Sequence, residues 1–246
     1  MTIEEFSNEF DIYYNSIATN SAPGIDLYEK SVYLTKAQLE IVKNYFNPKG
    51  NKYKEGFENS SKRRNDLNEL IKNFNSTTQI ASPNGIIANS KFFPIPNNTF
   101  IIIEEKVQFS SDDPCINDKY ANVVPKTHDE FNTQIKNPFK KPNNEKVWRM
   151  DYSSQNNSKN IEIISEYDIA KYQIRYIEYP EPIILTDLDV DFNGENLSID
   201  GMNTSQTCKL SESIHREILD RAVELALSDY KPSMLNAKMQ LNTRNE

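Results

Sequence analysis

Helical periodicity in this chain is strong at its two ends and gives way between them to short β-rich runs, and that segregation limits the folds open to it. Thr2 and Glu5 form a capping box ahead of Ile3, Phe6, Phe10, Tyr13, Tyr14 and Ile17, which recur at helical spacing until "SAPG" breaks the run. After "IDLYEKSVYL" a second box, Thr35 with Gln38, predicts a helix with Leu39, Val42, Tyr45 and Phe46 on one face, stopped by "NPKG". Past the polar linker 47–55, the stripe Leu67, Leu70, Ile71 and Phe74 predicts a third helix. Its other face, "SKRRND", is the densest basic cluster, either a solvated face or a contact for an acidic neighbour or a nucleic-acid strand. At the far end Ser211 caps "ESIHREILDRAVELAL", with Ile214, Ile218, Ala222 and Leu225 as its stripe. The small Ala222 and Ala226 suit close packing on the N-terminal helices.

From about 85 to 207, Pro- and Asn-rich turns separate "SKFFPIP", "TFIIIEEKVQF", "KVWRMDY", "IEIIS" and "IAKYQIRYIEY", which read as antiparallel strands. Among them "THDEFNTQI", capped by Thr127 with Glu130, predicts one short helix. The expected fold class is therefore α+β, with N- and C-terminal helices packed as a small bundle and a mainly antiparallel β region inserted between them. The expected regions are 1–80 (helical), 85–207 (mainly β with one short helix) and 208–246 (a helix packing on the N-terminal helices, plus an extended tail).

Composition narrows the function. A chain of 246 residues can build its own core without metals or disulfides. Its 28 basic against 36 acidic residues, a formal charge of -8, oppose a phosphate-tracking surface as the main activity. "MTIEEFSNEF" lacks the basic and apolar regions of a signal peptide, and the apolar stretch around "FIIIEE" falls far short of a membrane span, so a soluble chain with no membrane contact is expected. Cys115 and Cys208 lie far apart in no metal-binding spacing and read as reduced thiols. His128 and His215 are the only histidines, and "IHREILD" is not the zinc pattern H-E-x-x-H. A Cys115–His128 nucleophile pair is conceivable, but nothing in the sequence marks either residue as activated. Glu104, Glu105, Glu178 and Glu181 would serve an acid/base hydrolase only if the fold brought them together. Phosphate-binding and nucleophile-elbow motifs are missing from a chain with six glycines. Trp148 beside Arg149 reads as a core aromatic next to an exposed charge. No catalytic residue, metal ligand or cofactor follows from the pattern.

One stretch resembles a calcium loop. In "DLDVDFNGENLSID" the oxygen ligands, counted from Asp189, are Asp191, Asn193 and finally Asp200, with Gly194 at the sharp turn. Position 8, however, is Asn196 in place of an aliphatic residue, and neither flank reads as helix. Alternating acids also suit the exposed positions of a strand, and Asn193-Gly194 is a strong hairpin signal. A hairpin joining two strands is the reading, with a calcium-binding module on the 189–200 loop as the alternative.

Several longer patterns, in order, carry a resemblance: "YEKSVYLTKAQLEIVKNYF", "FFPIPNNTFIIIEEKV", "VWRMDYS", "YQIRYIEYPEPIIL" and "CKLSESIHREILDRAVELAL". Together they are similar to structural proteins of crAss-like bacteriophages, specifically a ring or neck protein of the head-tail connector. The resemblance implies a non-enzymatic virion component, made in the host bacterial cytoplasm and placed at the head-tail interface. It implies a ring of the chain's own copies, twelvefold, beneath the portal protein, with other connector or tail proteins as partners and passive contact with passing DNA. The residues add exposed β edges able to pair between subunits. They also add a final segment, "KPSMLNAKMQLNTRNE", whose Met234, Leu235, Met239 and Leu241 lie past the last helix and are the candidate partner interface. A tail-associated hydrolase is the other alternative.

Overall fold

The computed structural model describes residues 1–18, 24–46, 57–77, 90–152, 159–191 and 197–230. In chain order the elements are α1 (Ile3–Ala18), α2 (Leu27–Phe46), α3 (Ser61–Asp66), β1 (Ile71–Ser76), β2 (Lys91–Ile95), β3 (Thr99–Ser110) and β4 (Tyr120–Pro125). There follow α4 (His128–Gln134), β5 (Lys146–Tyr152), β6 (Lys159–Ile164), β7 (Asp168–Glu178), α5 (Leu188–Asp191) and α6 (Glu212–Tyr230). They divide into a sheet unit, Ile71–Tyr179, and a terminal unit, Met1–Leu70 with Pro180–Glu246.

The expectation of end helices packed as a small bundle around a mainly antiparallel insert is corrected here. The organising element is one seven-stranded sheet, ordered β1-β7-β3-β4-β5-β6-β2, curled until its two edge strands approach each other as a nearly closed barrel. The curl has a visible origin: the β3–β7 ladder runs from Thr99↔Glu178 to Ser110↔Asp168 and is interrupted by three register shifts. Each such irregularity bends and twists the strand that carries it. One pair is parallel, β4 with β5, because α4 forms the crossover between them. As predicted, the Thr127 hydroxyl accepts the Glu130 N–H at the start of α4. The helix then packs Phe131 on Trp148, Met150 and Ile164, on the side of the sheet opposite Phe93, Val107, Val147, Ile161 and Tyr172.

In the terminal unit the helices meet, α6 against α2 and α1, but they do not form a bundle by themselves. One side of α2 is covered by extended chain. Asp26 and Glu29 form the capping box of α2, so Thr35 and Gln38 fall inside the helix and do another job. The Ser31 hydroxyl accepts the Leu185 N–H, Thr35 Oγ1 accepts the Ile183 N–H, and Gln38 Nε2 donates to the Glu181 carbonyl. One helical turn advances about 5.4 Å and two extended residues about 6.6 Å, so polar residues on successive turns of α2 match alternate residues of the extended chain. The chain 181–185 is thereby hydrogen-bonded on one side to a helix and, through reciprocal Ile184–Gln206 bonds, on the other to a returning segment.

The predicted third helix is also shorter than its apolar stripe suggested. It ends at Asp66, a 3-10 turn covers Asn68–Leu70, and Ile71 and Phe74 belong to β1, paired with Ile177 and Ile174. Pairing with a ready strand outweighed local periodicity there.

Two stability outcomes follow. Ile218 is fully buried in α6, so Ile218→Asp should lower stability by about 3 kcal/mol or more in chemical denaturation, because it buries an unpaired charge. Inside the sheet, Arg149 Nη1 lies 2.8 Å from Glu105 Oε1, which also accepts the Tyr172 hydroxyl at 2.5 Å. Arg149→Leu should cost about 3 kcal/mol by leaving the Glu105 carboxylate without its counter-charge. Adding Glu105→Gln should recover a large part of that loss.

Candidate functional site

The calcium-like stretch begins as a helical turn, α5, and not as a strand. Asp187 Oδ1 accepts the Ser205 N–H at 2.6 Å, and Asp189 accepts from the Asn203 side-chain amide. Both carboxylates therefore tie the outgoing chain to its return near residues 203–205. Asp200 and Gly201, at φ 50° and 81°, make a tight turn between Ile199 and Met202. Residues 192–196, which include Asn193, Gly194 and Asn196, lie outside the described residues, as does the side chain of Asp191, so the Asn193-Gly194 turn of the expected hairpin falls outside them, while its first expected strand is the helical turn α5. Among the described residues no group of three or more His, Cys, Asp or Glu gathers closely enough to hold a metal ion.

The four glutamates singled out for acid/base work have separate partners. Glu105 is held by Arg149 and Tyr172, and Glu104 pairs with Lys106. Glu178 accepts from Asn98, and Glu181 accepts from Lys209 and Gln206. Burial and the neighbouring Glu105 carboxylate push the Tyr172 hydroxyl far above its ordinary value, so it serves as a hydrogen-bond donor. Trp148 is a core aromatic, as expected, but Arg149 is the largely buried partner of Glu105 and not an exposed charge.

Cys115 is exposed and Cys208 buried, and both are free thiols. Burial raises the Cys208 thiol to about 11, and its Sγ donates to Gln38 Oε1 at 3.3 Å. His215 is buried, with Nε2 2.9 Å from the Leu210 carbonyl and Nδ1 2.9 Å from the Met1 amino group, and desolvation lowers its pKa. Cys208 and His215 are engaged in packing the terminal unit.

The basic cluster of α3 finds its acidic neighbour within the chain. Lys62 pairs with Glu217 of α6 at 2.5 Å, while Arg63 is buried with its guanidinium over the Tyr45 ring. Asp66, also buried, accepts the Tyr45 and Ser213 hydroxyls. Surfaces available for assembly lie elsewhere. In the sheet they are the edge strands β1 and β2, the latter carrying Pro94, which offers no N–H. Apolar side chains left in solvent include Ile12 of α1 and Phe139 of the β4–β5 crossover, and the sequence patterns did not single out either one. Met234, Leu235, Met239 and Leu241 lie outside the described residues. Among the described residues no helix is long and apolar enough to cross a membrane.

The family model for phage tail ring protein 3/4 matches residues 1–238. Ring protein 4/5 of Bacteroides phage crAss001 is 40% identical over 249 residues, spanning the full length of both chains. Ring protein 3 of the same phage is 36% identical over 229 residues, which is 92% of this chain and 95% of that protein. A match of this extent makes the protein a structural component of a phage virion, and the chain belongs to the phage tail ring protein 3/4 family, the ring proteins of crAss-like phages.

Proposed function

We propose that the chain is the repeating subunit of a closed homo-oligomeric ring in the head-tail connector, stacked near the portal and surrounding the path of the DNA. The correspondence with two ring proteins of one phage, over the full length of one and nearly all of the other, carries this reading. The structure supports it physically. A ring subunit needs a rigid body and two different contact patches, because a closed cyclic assembly uses heterologous contacts. A nearly closed sheet braced by a buried ion pair supplies the rigid body. The DNA-facing role is passive: a chain with a formal charge of -8 is suited to letting a phosphate backbone slide past it and not to gripping it. Twelvefold symmetry, matching a portal above, belongs to the same proposal. So does a docking role for the tail, whose Met234, Leu235, Met239 and Leu241 follow the helix-stopping Lys231-Pro232 step.

Negative-stain imaging of the purified full chain, alone and with its portal, should show closed rings of uniform subunit number. A chain that remains monomeric in both conditions would overturn the reading. Deletion of 233–246 should leave the melting temperature nearly unchanged while reducing the fraction of chain that sediments with portal. If the truncated chain unfolds, the tail is part of the core.

For the calcium alternative, millimolar calcium should leave the melting temperature unchanged within error, since an ion that binds only the native state must raise it by mass action. An upward shift abolished by Asp189→Asn with Asp191→Asn would restore that reading.

A further inference from the structure

The crossover that makes β4 and β5 parallel also displays an aromatic side chain to solvent. Phe139 is 94% exposed, more than any other large apolar residue described. It stands on a defined turn: the Asn137 side chain accepts the Phe139 N–H at 3.0 Å, and the Asn137 carbonyl accepts the Lys140 and Lys141 N–H groups at 3.1 Å. Pro138 restricts the backbone on one side. The turn is anchored before by Ile135, packed on the Phe131–Trp148 cluster, and after by the buried Pro142. Lys136, Lys140 and Lys141 flank Phe139 in the sequence and are exposed. Lys141 is held to Glu166 at 2.5 Å, whereas Lys136 and Lys140 have no ion-pair partner among the described residues. The result is an apolar knob on a defined turn, with two lysines close by in sequence that have no acidic partner among the described residues, on a chain that is acidic as a whole.

The acidity is unevenly placed. Basic and acidic residues balance within Ile71–Tyr179, so the whole formal charge of -8 resides in the terminal unit. Within that unit α1 carries Glu4, Glu5, Glu9 and Asp11 and no basic residue. It also displays Ile12 at 63% exposure, well above the 38% and 37% of Leu27 and Val32. Helical spacing puts Glu5 and Glu9 on the Ile12 side of α1, while Asp11 is paired with Lys30. An exposed isoleucine with two glutamates on its helix face is the complement of an exposed phenylalanine with lysines beside it in the chain.

We propose that the Phe139 turn of one copy docks on the Ile12 face of α1 in a second copy of this chain, and that this is the heterologous contact that closes the ring. The inference rests on the ring reading above and places its contact. The lysine-flanked knob cannot pair with itself, because like charges would face each other, so the partner patch must be a different surface. A contact between two different patches is the kind that a closed ring repeats from subunit to subunit.

The test uses the full chain. Sedimentation velocity should show Phe139→Ser weakening self-association by about thirtyfold or more, the effect of losing a buried aromatic anchor. Lys140→Glu and Glu9→Lys should each weaken it by about fivefold, and the two together should restore it. All four proteins should melt together, since none of the three side chains is buried. Carbodiimide cross-linking of mixed isotope-labelled and unlabelled chains should give interchain links from Lys136 or Lys140 to Glu5 or Glu9.

If the wild type assembles into rings but the variants assemble equally well, or the interchain links map elsewhere, this contact is wrong and the ring reading stands. If the wild type neither assembles nor gives interchain links, both fall. Duplex DNA bound by the wild type and lost in Lys140→Glu, with assembly unaffected, would assign the turn to nucleic acid and overturn the proposal.

Discussion

The β3–β7 ladder is the element on which most of the sheet unit depends. It is the longest pairing in the sheet, and its three register shifts let twelve residues of β3 curve against β7 without losing the ladder. That curvature brings polar residues of β3, β5 and β7 inside the sheet, where Glu105 accepts from both Arg149 and Tyr172. A flat sheet would leave these side chains in water and the edges β1 and β2 far apart. The buried triad is therefore a consequence of the curl and, once formed, a brace for it.

The terminal unit depends on a different device, the match between helix pitch and strand rise. Ser31, Thr35 and Gln38 would be unremarkable polar residues on a solvated helix. Here they receive an extended chain that has no neighbouring strand on that side, supplying partners for backbone groups that burial would otherwise strand. The α3–α6 junction works the same way, with the buried Asp66 and the Lys62–Glu217 pair joining segments far apart in the chain. Ion pairs and hydrogen bonds that look like binding features in the sequence are consumed in assembling the subunit. Among the described residues, the Phe139 turn and Ile12 of α1 remain exposed.

Local signals in the sequence were read well where the chemistry is local. The Thr2–Glu5 capping box forms in both directions and the Thr127 hydroxyl accepts the Glu130 N–H, because the partners lie within one turn of helix. The strands "TFIIIEEKVQF" and "IAKYQIRYIEY" pair over most of their length, because their apolar alternation can be buried only against another such strand. The family was legible for a similar reason: a succession of patterns along the whole chain survives without any catalytic fingerprint. The Thr35–Gln38 box misled, since the same two side chains can cap a helix start or receive an extended chain, and only the position of residues 181–183 distinguishes the two. Ile71 and Phe74 misled because helical spacing and strand alternation overlap in so short a run, and pairing with β7 decided the outcome.

By itself the sequence determined the helices at the two ends, the short α4, the strands β2, β3, β5, β6 and β7, and which phage family the chain resembles. These follow from periodicity, capping and composition, which act over a few residues at a time. Tertiary structure alone decided that the sheet curls toward closure, that the end helices share their faces with extended chain, and that Arg149 is buried against Glu105 while Phe139 stands in solvent. Those outcomes depend on bulges, crossovers and charge partners many residues apart, and a carboxylate or an aromatic ring carries no mark of which distant residue will neutralise or cover it.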